Sequence, residues 1–395
     1  MDASTTRRRA LRAFAAFGAS GLLAVPRLTL AGMQAPDEAP SARRFVFVIQ
    51  RGAADGLHTL IPYADPGYAR LRGELAIDPA GATRLDGTFA LHPALVETAR
   101  MYANGQALCI HAVASPYRER SHFDGQNVLE TGGAAPYREK TGWLNRLAGL
   151  LPQPRREALA LAPTLPLALR GPAPATSYAP AGLRPPPDDL LARVERLYAG
   201  DAQLHALWSS AQETRAMAAG NPARQDPASL GKLAAGFLAR PDGPRIAMLE
   251  TGGWDTHTGQ AGRMAAQLKR LDALLAALRD GLGEGTWART AVLVATEFGR
   301  TAAANGTGGT DHGTGAAALL VGGAVRGGRV LADWPGLAAA DLYEGRDLRA
   351  TAALDGIIAT AAGECFGIEP EHAARALFPA TGTTGKPVFE GLLRA

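Results

Sequence analysis

Short, unbroken apolar runs, each ending in glycine and polar residues, constrain the fold of this chain more than any other feature. Residues 45–50 (Phe-Val-Phe-Val-Ile-Gln) form such a run and stop at Arg51-Gly52-Ala53-Ala54-Asp55-Gly56. Residues 108–113, 245–250, 290–296 and 316–322 repeat the pattern, with helical spacing over 93–104, 121–131 and 259–282 in between. A strand that lacks polar alternation is buried on both faces. Strands that alternate with helices build a parallel sheet covered on both sides. The expected fold class is therefore α/β, a mostly parallel central sheet with helices on both faces. In such sheets ligands bind beyond the carboxyl ends of the strands, so function is expected in the loops that follow these runs.

The amino terminus reads differently. Arg7-Arg8-Arg9 and Arg12 precede an Ala/Gly-rich apolar stretch from Ala13 to Val25 without an acidic residue. That is the pattern of a twin-arginine signal peptide, and the stretch is too short and too glycine-interrupted for a good membrane span. A basic amphipathic helix of the mature protein is the alternative. The division expected is a signal peptide over 1–35, a linker over 36–43, one α/β domain over 44–380 and a loose tail over 381–395. Small residues at Ala31 or Ala35 suit cleavage. The formal net charge of +4 resides in this leader, where five arginines face Asp2 alone, so the remainder is near neutral. Nothing in it suggests a nucleic-acid partner. The expected location is the periplasm or outside the cell, with the twin-arginine translocase as partner during export and no stable membrane span in the mature protein.

Residues 152–187 are rich in proline and poor in charge, which predicts an irregular surface segment, a lid or cap. Helical patterns follow over 188–198, 202–219, 227–240 and 348–365. Cys109 and Cys365 sit among apolar residues. Two buried free thiols are expected, with one disulfide as the alternative.

Five polar clusters fall at the expected strand ends. In Gly253-Trp254-Asp255-Thr256-His257, residues two apart in an extended segment project to one side, so Asp255 and His257 suit a shared cation; an Asp255 turn cap for the following helix is the plainer reading. The glycine-rich stretch from Asn305 to Gly313 carries Asp311-His312, and lacks the lysine of a phosphate-cradling loop. Glu297 and Arg300 can be a metal ligand and an anion holder, or simply an ion pair. Asp55 is a ligand or a turn former. Ser121 is a nucleophile at a helix start or its N-cap, and His122 a ligand or a core histidine.

Taken together, Asp55-Gly56-Leu57, Ser121-His122-Phe123 running to Glu130-Thr131-Gly132, Gly253-Trp254-Asp255-Thr256-His257, Thr296-Glu297-Phe298-Gly299-Arg300 and Thr310-Asp311-His312-Gly313 resemble the exported bacterial proteins grouped as domain of unknown function 1501. These are similar to the alkaline phosphatase and sulfatase superfamily. The resemblance implies an alkaline phosphatase-like fold with metal ligands among Asp55, Asp255, His257, Glu297, Asp311 and His312. It also implies catalytic roles for Ser121, His122 and Arg300. Phe298 stands where the superfamily's paired histidine would be, which puts a second metal in doubt. Alignment on Thr131-Gly132 places His122, rather than Ser121, at the nucleophile's position. The expected function is hydrolysis of a small anionic phosphate or sulfate ester with one divalent ion, zinc or manganese before calcium. The alternative is an inactive binding or assembly protein on the same fold.

Overall fold

Alternate side chains of the first strand point to opposite faces, and both faces are apolar: Phe45, Phe47 and Ile49 enter one core and Val46 and Val48 another. A strand so composed has to lie mid-sheet. The computed structural model describes residues 43–152, 158–179, 188–217, 226–381 and 389–394. The signal peptide expected over 1–35 and most of its linker lie outside the described residues. Strands β1 (Arg44–Gln50), β2 (Ala107–Ala114), β3 (Ala158–Leu161), β4 (Ala175–Ser177), β5 (Ile246–Thr251), β6 (Thr290–Thr296), β7 (Ala316–Val321), β8 (Arg329–Leu331) and β9 (Ala352–Ala353) form a nine-stranded sheet. Its order is β8-β2-β7-β6-β1-β5-β3-β4, with β9 beside β2. All pairs are parallel except those of β7, which runs antiparallel to β2 and β6. The expected α/β class, a mostly parallel sheet covered on both faces, is what the chain adopts.

Helices Val96–Ala103, Pro227–Leu238 and Gln260–Trp287 cover the face of Val46 and Val48. Helices Trp143–Leu150, Leu354–Phe366 and Pro370–Leu377 cover the face of Phe45. Trp143 meets Phe47 edge to face at 5.1 Å. Each such fully buried large apolar side chain contributes roughly 1.5–3 kcal/mol of transfer free energy. Capping sets the ends locally. Asp226 accepts from Ser229 N ahead of Pro227, and Gly132 closes helix His122–Thr131 in the left-handed conformation.

Three expectations are corrected. Residues 152–187 are not wholly irregular, because their apolar Ala-Leu-Ala-Leu run enters the sheet as β3, parallel to β5, and carries β4 on its outer side. The described end of the tail, residues 389–394, is not loose: Leu392 and Leu393 are buried in the core and Leu393 pairs with Val325. The last long helix starts at Leu354, not Leu348, whose carbonyl instead accepts from Gly315 N and the Thr314 hydroxyl. Cys109 and Cys365 are both buried and free. No helix among the described residues is long and apolar enough to cross a membrane.

Register positions the functional edge. Gln50 is level with Thr251 on β5 and with Thr296 on β6, so the loops beginning at Arg51, Gly252 and Glu297 leave the sheet side by side.

Candidate metal centre

Four loops meet at that carboxyl edge. His122 opens helix His122–Thr131, Asp255 and His257 follow β5, and His312 is brought back toward β6 by an antiparallel bridge to Arg300. Closeness of backbone requires glycine at two positions. A Cβ on Gly52 would lie 2.6 Å from Asp255 N, and one on Gly309 2.2 Å from the His257 carbonyl. The Asp-x-His loop can nestle against its neighbours only because those two side chains are missing.

The imidazoles of His122, His257 and His312 share one arrangement. His122 Nδ1 lies 2.8 Å from Glu297 Oε1, His257 Nδ1 3.3 Å from Asp311 Oδ1, and His312 Nδ1 2.8 Å from the Arg120 carbonyl. These oxygens only accept, so each Nδ1 carries the proton and each Nε2 a lone pair. The Nε2 atoms face Asp255. His257 Nε2 is 3.0 Å from Asp255 Oδ1 and 3.0 Å from His312 Nε2, which is itself 3.4 Å from Asp255 Oδ1. His122 Nε2 is 3.6 Å from Asp255 Oδ2 and is a buried nitrogen without a hydrogen-bond partner. Acceptors facing acceptors at these distances repel unless a cation or a proton lies among them; the Arg300 guanidinium supplies part of that charge, donating to Asp255 Oδ1 and lying 3.5 Å from His257 Nε2. Zinc bound tetrahedrally at ~2.0–2.1 Å sets its ligands about 3.3 Å apart; the separations named here run from 3.0 to 3.6 Å. His122, Asp255 and His312 form a group whose ligand atoms all lie within 4.8 Å of one another.

The surrounding field keeps both carboxylates ionised and His312 neutral, while it favours the protonated ring at His122. Burial works against the Asp255 charge, yet hydrogen bonding and proximity to the Arg300 guanidinium hold its carboxyl below the usual range. Burial likewise opposes ionisation of Glu297, but His122, Gln126 and backbone N–H groups hold it below the ordinary glutamate value. The same Glu297 contact raises His122, whereas burial lowers His312. Phe298 stacks on His122 at 5.1 Å and lies 5.3 Å from the His312 ring, so it is a wall for both.

Other expected site residues lie elsewhere. Asp55 is 1% exposed and saturated: Arg72 binds both its oxygens at 2.6 and 2.8 Å, Gln260 donates at 2.6 Å and His58 N at 3.2 Å. No lone pair is left for a metal, so of the two readings of Asp55 the turn former holds: it caps the short helix Gly56–Thr59 through His58 N and pairs with Arg72 besides. Glu297 stands behind His122 rather than among the converging atoms, engaged by Gly52 N, Gln126 and Thr296 as well. Arg300, expected to hold an anion, has no exposed side-chain surface. Its donors go to the carbonyls of Ala53, Thr310, Gly52 and Trp254, to Asp255 and, at 3.5 Å, toward His257 Nε2, tying three loops together. Ser121 occupies the N-cap without a side-chain cap bond, its N–H directed to the Tyr117 hydroxyl at 3.1 Å. Asp311 is exposed and contacts the centre only through His257.

Gln126 and Arg120 were not foreseen. Gln126 lies one helical turn after His122, an i,i+4 spacing that points both side chains the same way and was available in the sequence. Arg120 acts through its carbonyl, which any residue type possesses, so no sequence signal marks it.

No curated protein matches the chain. Among solved structures it is similar to the C-terminal periplasmic domain of EptC from Escherichia coli in complex with zinc, with 9% identity over 71% of this chain and 73% of that one and a TM-score of 0.34. Ps i-CgsB matches at 13% identity over 73% and 68%, TM-score 0.32. Ps i-CgsB in complex with k-i-k-neocarrahexaose matches at 11% identity over 83% and 72%, TM-score 0.35. A family model covers residues 42–374, and by that match the chain belongs to the family described as protein of unknown function (DUF1501).

Proposed function

We propose that this chain is an exported hydrolase of phosphate or sulfate esters that uses one divalent ion, zinc or manganese, held by Asp255 with His122, His257 and His312. The observation that carries the reading is the shared orientation of the three imidazoles, each with Nδ1 on an oxygen acceptor; His122 and His312 converge with Asp255 in one group, and His257 Nε2 lies 3.0 Å from Asp255 Oδ1 and from His312 Nε2. Imidazole nitrogen with one carboxylate suits zinc or manganese better than calcium, which prefers an all-oxygen shell. Such an ion supplies Lewis-acid polarisation of an ester oxygen and activation of a water. The chain's residues supply orientation. Glu297, Asp311 and the Arg120 carbonyl fix the three rings, and Arg300 keeps Asp255 ionised. Water is the attacking group in this reading, with Ser121 at the N-cap of helix His122–Thr131.

Export by the twin-arginine route belongs to the same proposal and rests on Arg7-Arg8-Arg9 ahead of the apolar run. A second reading, an exported binding or assembly protein, is favoured by one feature: Phe298 closes the side of His122 where a second metal's ligand stands in the superfamily this chain resembles.

The test is elemental analysis of the purified mature chain with assays of aryl phosphate and aryl sulfate, with and without added zinc or manganese. Stoichiometric metal and turnover, both lost in Asp255→Ala and His312→Ala, support the hydrolase. Bound metal without turnover supports the second reading, and protein that binds no metal sinks the ligand set. An Arg7→Lys, Arg8→Lys precursor is expected to stay inside the cell; unchanged secretion would overturn the route.

A further inference from the structure

The opposite edge of the sheet carries a second concentration of charge, removed from the metal centre by the length of β1, seven residues or ~20 Å at about 3.3 Å per residue. Arg43 precedes β1, Arg326 lies between β7 and β8, Arg329 opens β8, and Arg394 belongs to the carboxyl-terminal segment. Together with Glu364 they line a cleft of about 850 Å³.

Three of the four guanidinium groups are held in place by main-chain oxygens. Arg43 donates to the Arg394 carbonyl, Arg329 to those of Arg326 and Gly391, and Arg394 to those of Val325 and Gly105. A carbonyl fixes the side chain without neutralising it. The one nearby carboxylate, Glu364, turns both oxygens to backbone, accepting from Gly391 N at 2.7 Å and Leu393 N at 2.6 Å, so it pairs with none of the guanidinium groups and its single charge offsets one of the four. Among the described residues no acidic side chain forms an ion pair with any of the four arginines. Arg326 is exposed and its side chain has no hydrogen bond among those residues.

We propose that this cleft is a binding site for a phosphate-bearing ligand, whose oxygens are shared among Arg326 and the three anchored arginines. Like charges gathered in a concavity raise the local potential and draw a multiply charged oxyanion. The planar guanidinium fork matches phosphate oxygens in pairs, and each anchored arginine keeps at least one unused nitrogen. Anchoring beforehand reduces the side-chain entropy lost on binding. The ligand source is either a soluble phosphate compound or an anionic lipid headgroup, which present the same chemistry. This site is independent of the proposed metal centre.

The probes are pyrophosphate in calorimetric titration at low salt, and vesicles of phosphatidylglycerol against phosphatidylcholine in flotation. Both are applied to the Asp255→Ala, His312→Ala chain, so that the metal centre contributes nothing. Saturable pyrophosphate binding that falls tenfold or more in Arg326→Glu, less in Arg326→Lys, and weakens with salt supports a soluble ligand. Flotation with the anionic vesicles alone, abolished by Arg326→Glu and competed by pyrophosphate, supports the headgroup. Circular dichroism and the urea midpoint of each variant report whether its fold is intact; Arg329→Gln provides a second test if Arg326→Glu is unfolded. Equal binding by parent and folded variants overturns the proposal, as does the absence of saturable binding to both probes.

Discussion

Glu297 Oε1 accepts the Nδ1 proton of His122 at 2.8 Å from a position with no solvent exposure. The contact spans the end of β6 and the first residue of helix His122–Thr131, so it fixes a ring on one element by a carboxylate on another. A buried carboxylate behind a histidine orients the ring and makes Nε2 a better donor to metal. Glu297→Gln retains the shape but loses the charge, and its amide nitrogen facing Nδ1 favours the wrong tautomer. Metal affinity is expected to fall about 10–100-fold, measured by competition with a chelating dye, while the urea midpoint moves far less than for a core truncation. Unaltered affinity would show that Glu297 does not orient a ligand.

Phe298 connects stability with the same centre. It packs with Ala53, Tyr117 and Val128, and Gly125 lacks a Cβ that would lie 2.9 Å from its ring. Phe298→Ala is expected to destabilise the fold by about 3–5 kcal/mol and to weaken metal binding, since the His122 and His312 rings both lose a wall. Denaturant unfolding with and without added metal separates the two effects.

The Asp55–Arg72 pair is buried on both sides, with Asp55 held down to about 2 although burial opposes its charge, because Arg72 lies against it. Asp55→Ala leaves an uncompensated guanidinium in the core and is expected to lose about 3–5 kcal/mol. Replacing both, Asp55→Leu with Arg72→Met, removes the stranded charge and is expected to recover most of that loss. Urea midpoints for the two single variants and the double variant test the coupling.

Acid sensitivity follows from three neutral histidines. Burial is the chief cause that pushes His58, His92 and His111 down to about 4 from an ordinary 6.5. His111 Nδ1 accepts from Ala112 N at 2.8 Å and His92 Nδ1 from Ala94 N at 3.0 Å, bonds that protonation at Nδ1 would break. Between pH 6.5 and 4 the unfolded chain takes up protons that the folded chain refuses, so stability falls as pH falls through that window. The slope reaches up to about 1.4 kcal/mol per pH unit for each fully buried imidazole. His111→Gln is expected to flatten the pH profile of the urea midpoint, whatever it does to the midpoint at pH 8; a profile parallel to the parent's would rule out this histidine as a source.

Composition and spacing alone determined the sheet class, its buried strands and the loops that reach the functional edge, because these depend on local periodicity and backbone preference. Long-range pairing decided the rest. Residues 158–161 read as part of a proline-rich surface segment, yet parallel pairing with β5 makes them a strand, since four apolar residues gain more by burial in a sheet than their flanking prolines cost. The same holds at the site. Asp255, His257 and His312 carry metal-binding chemistry in any sequence, but only the packed loops decide which carboxylate remains open. Asp55 is closed because Arg72, seventeen positions away, reaches it first, whereas Asp255 faces three imidazoles with half its side chain accessible. A side chain's chemistry is local; its partners are set by three-dimensional proximity that no short window of sequence contains.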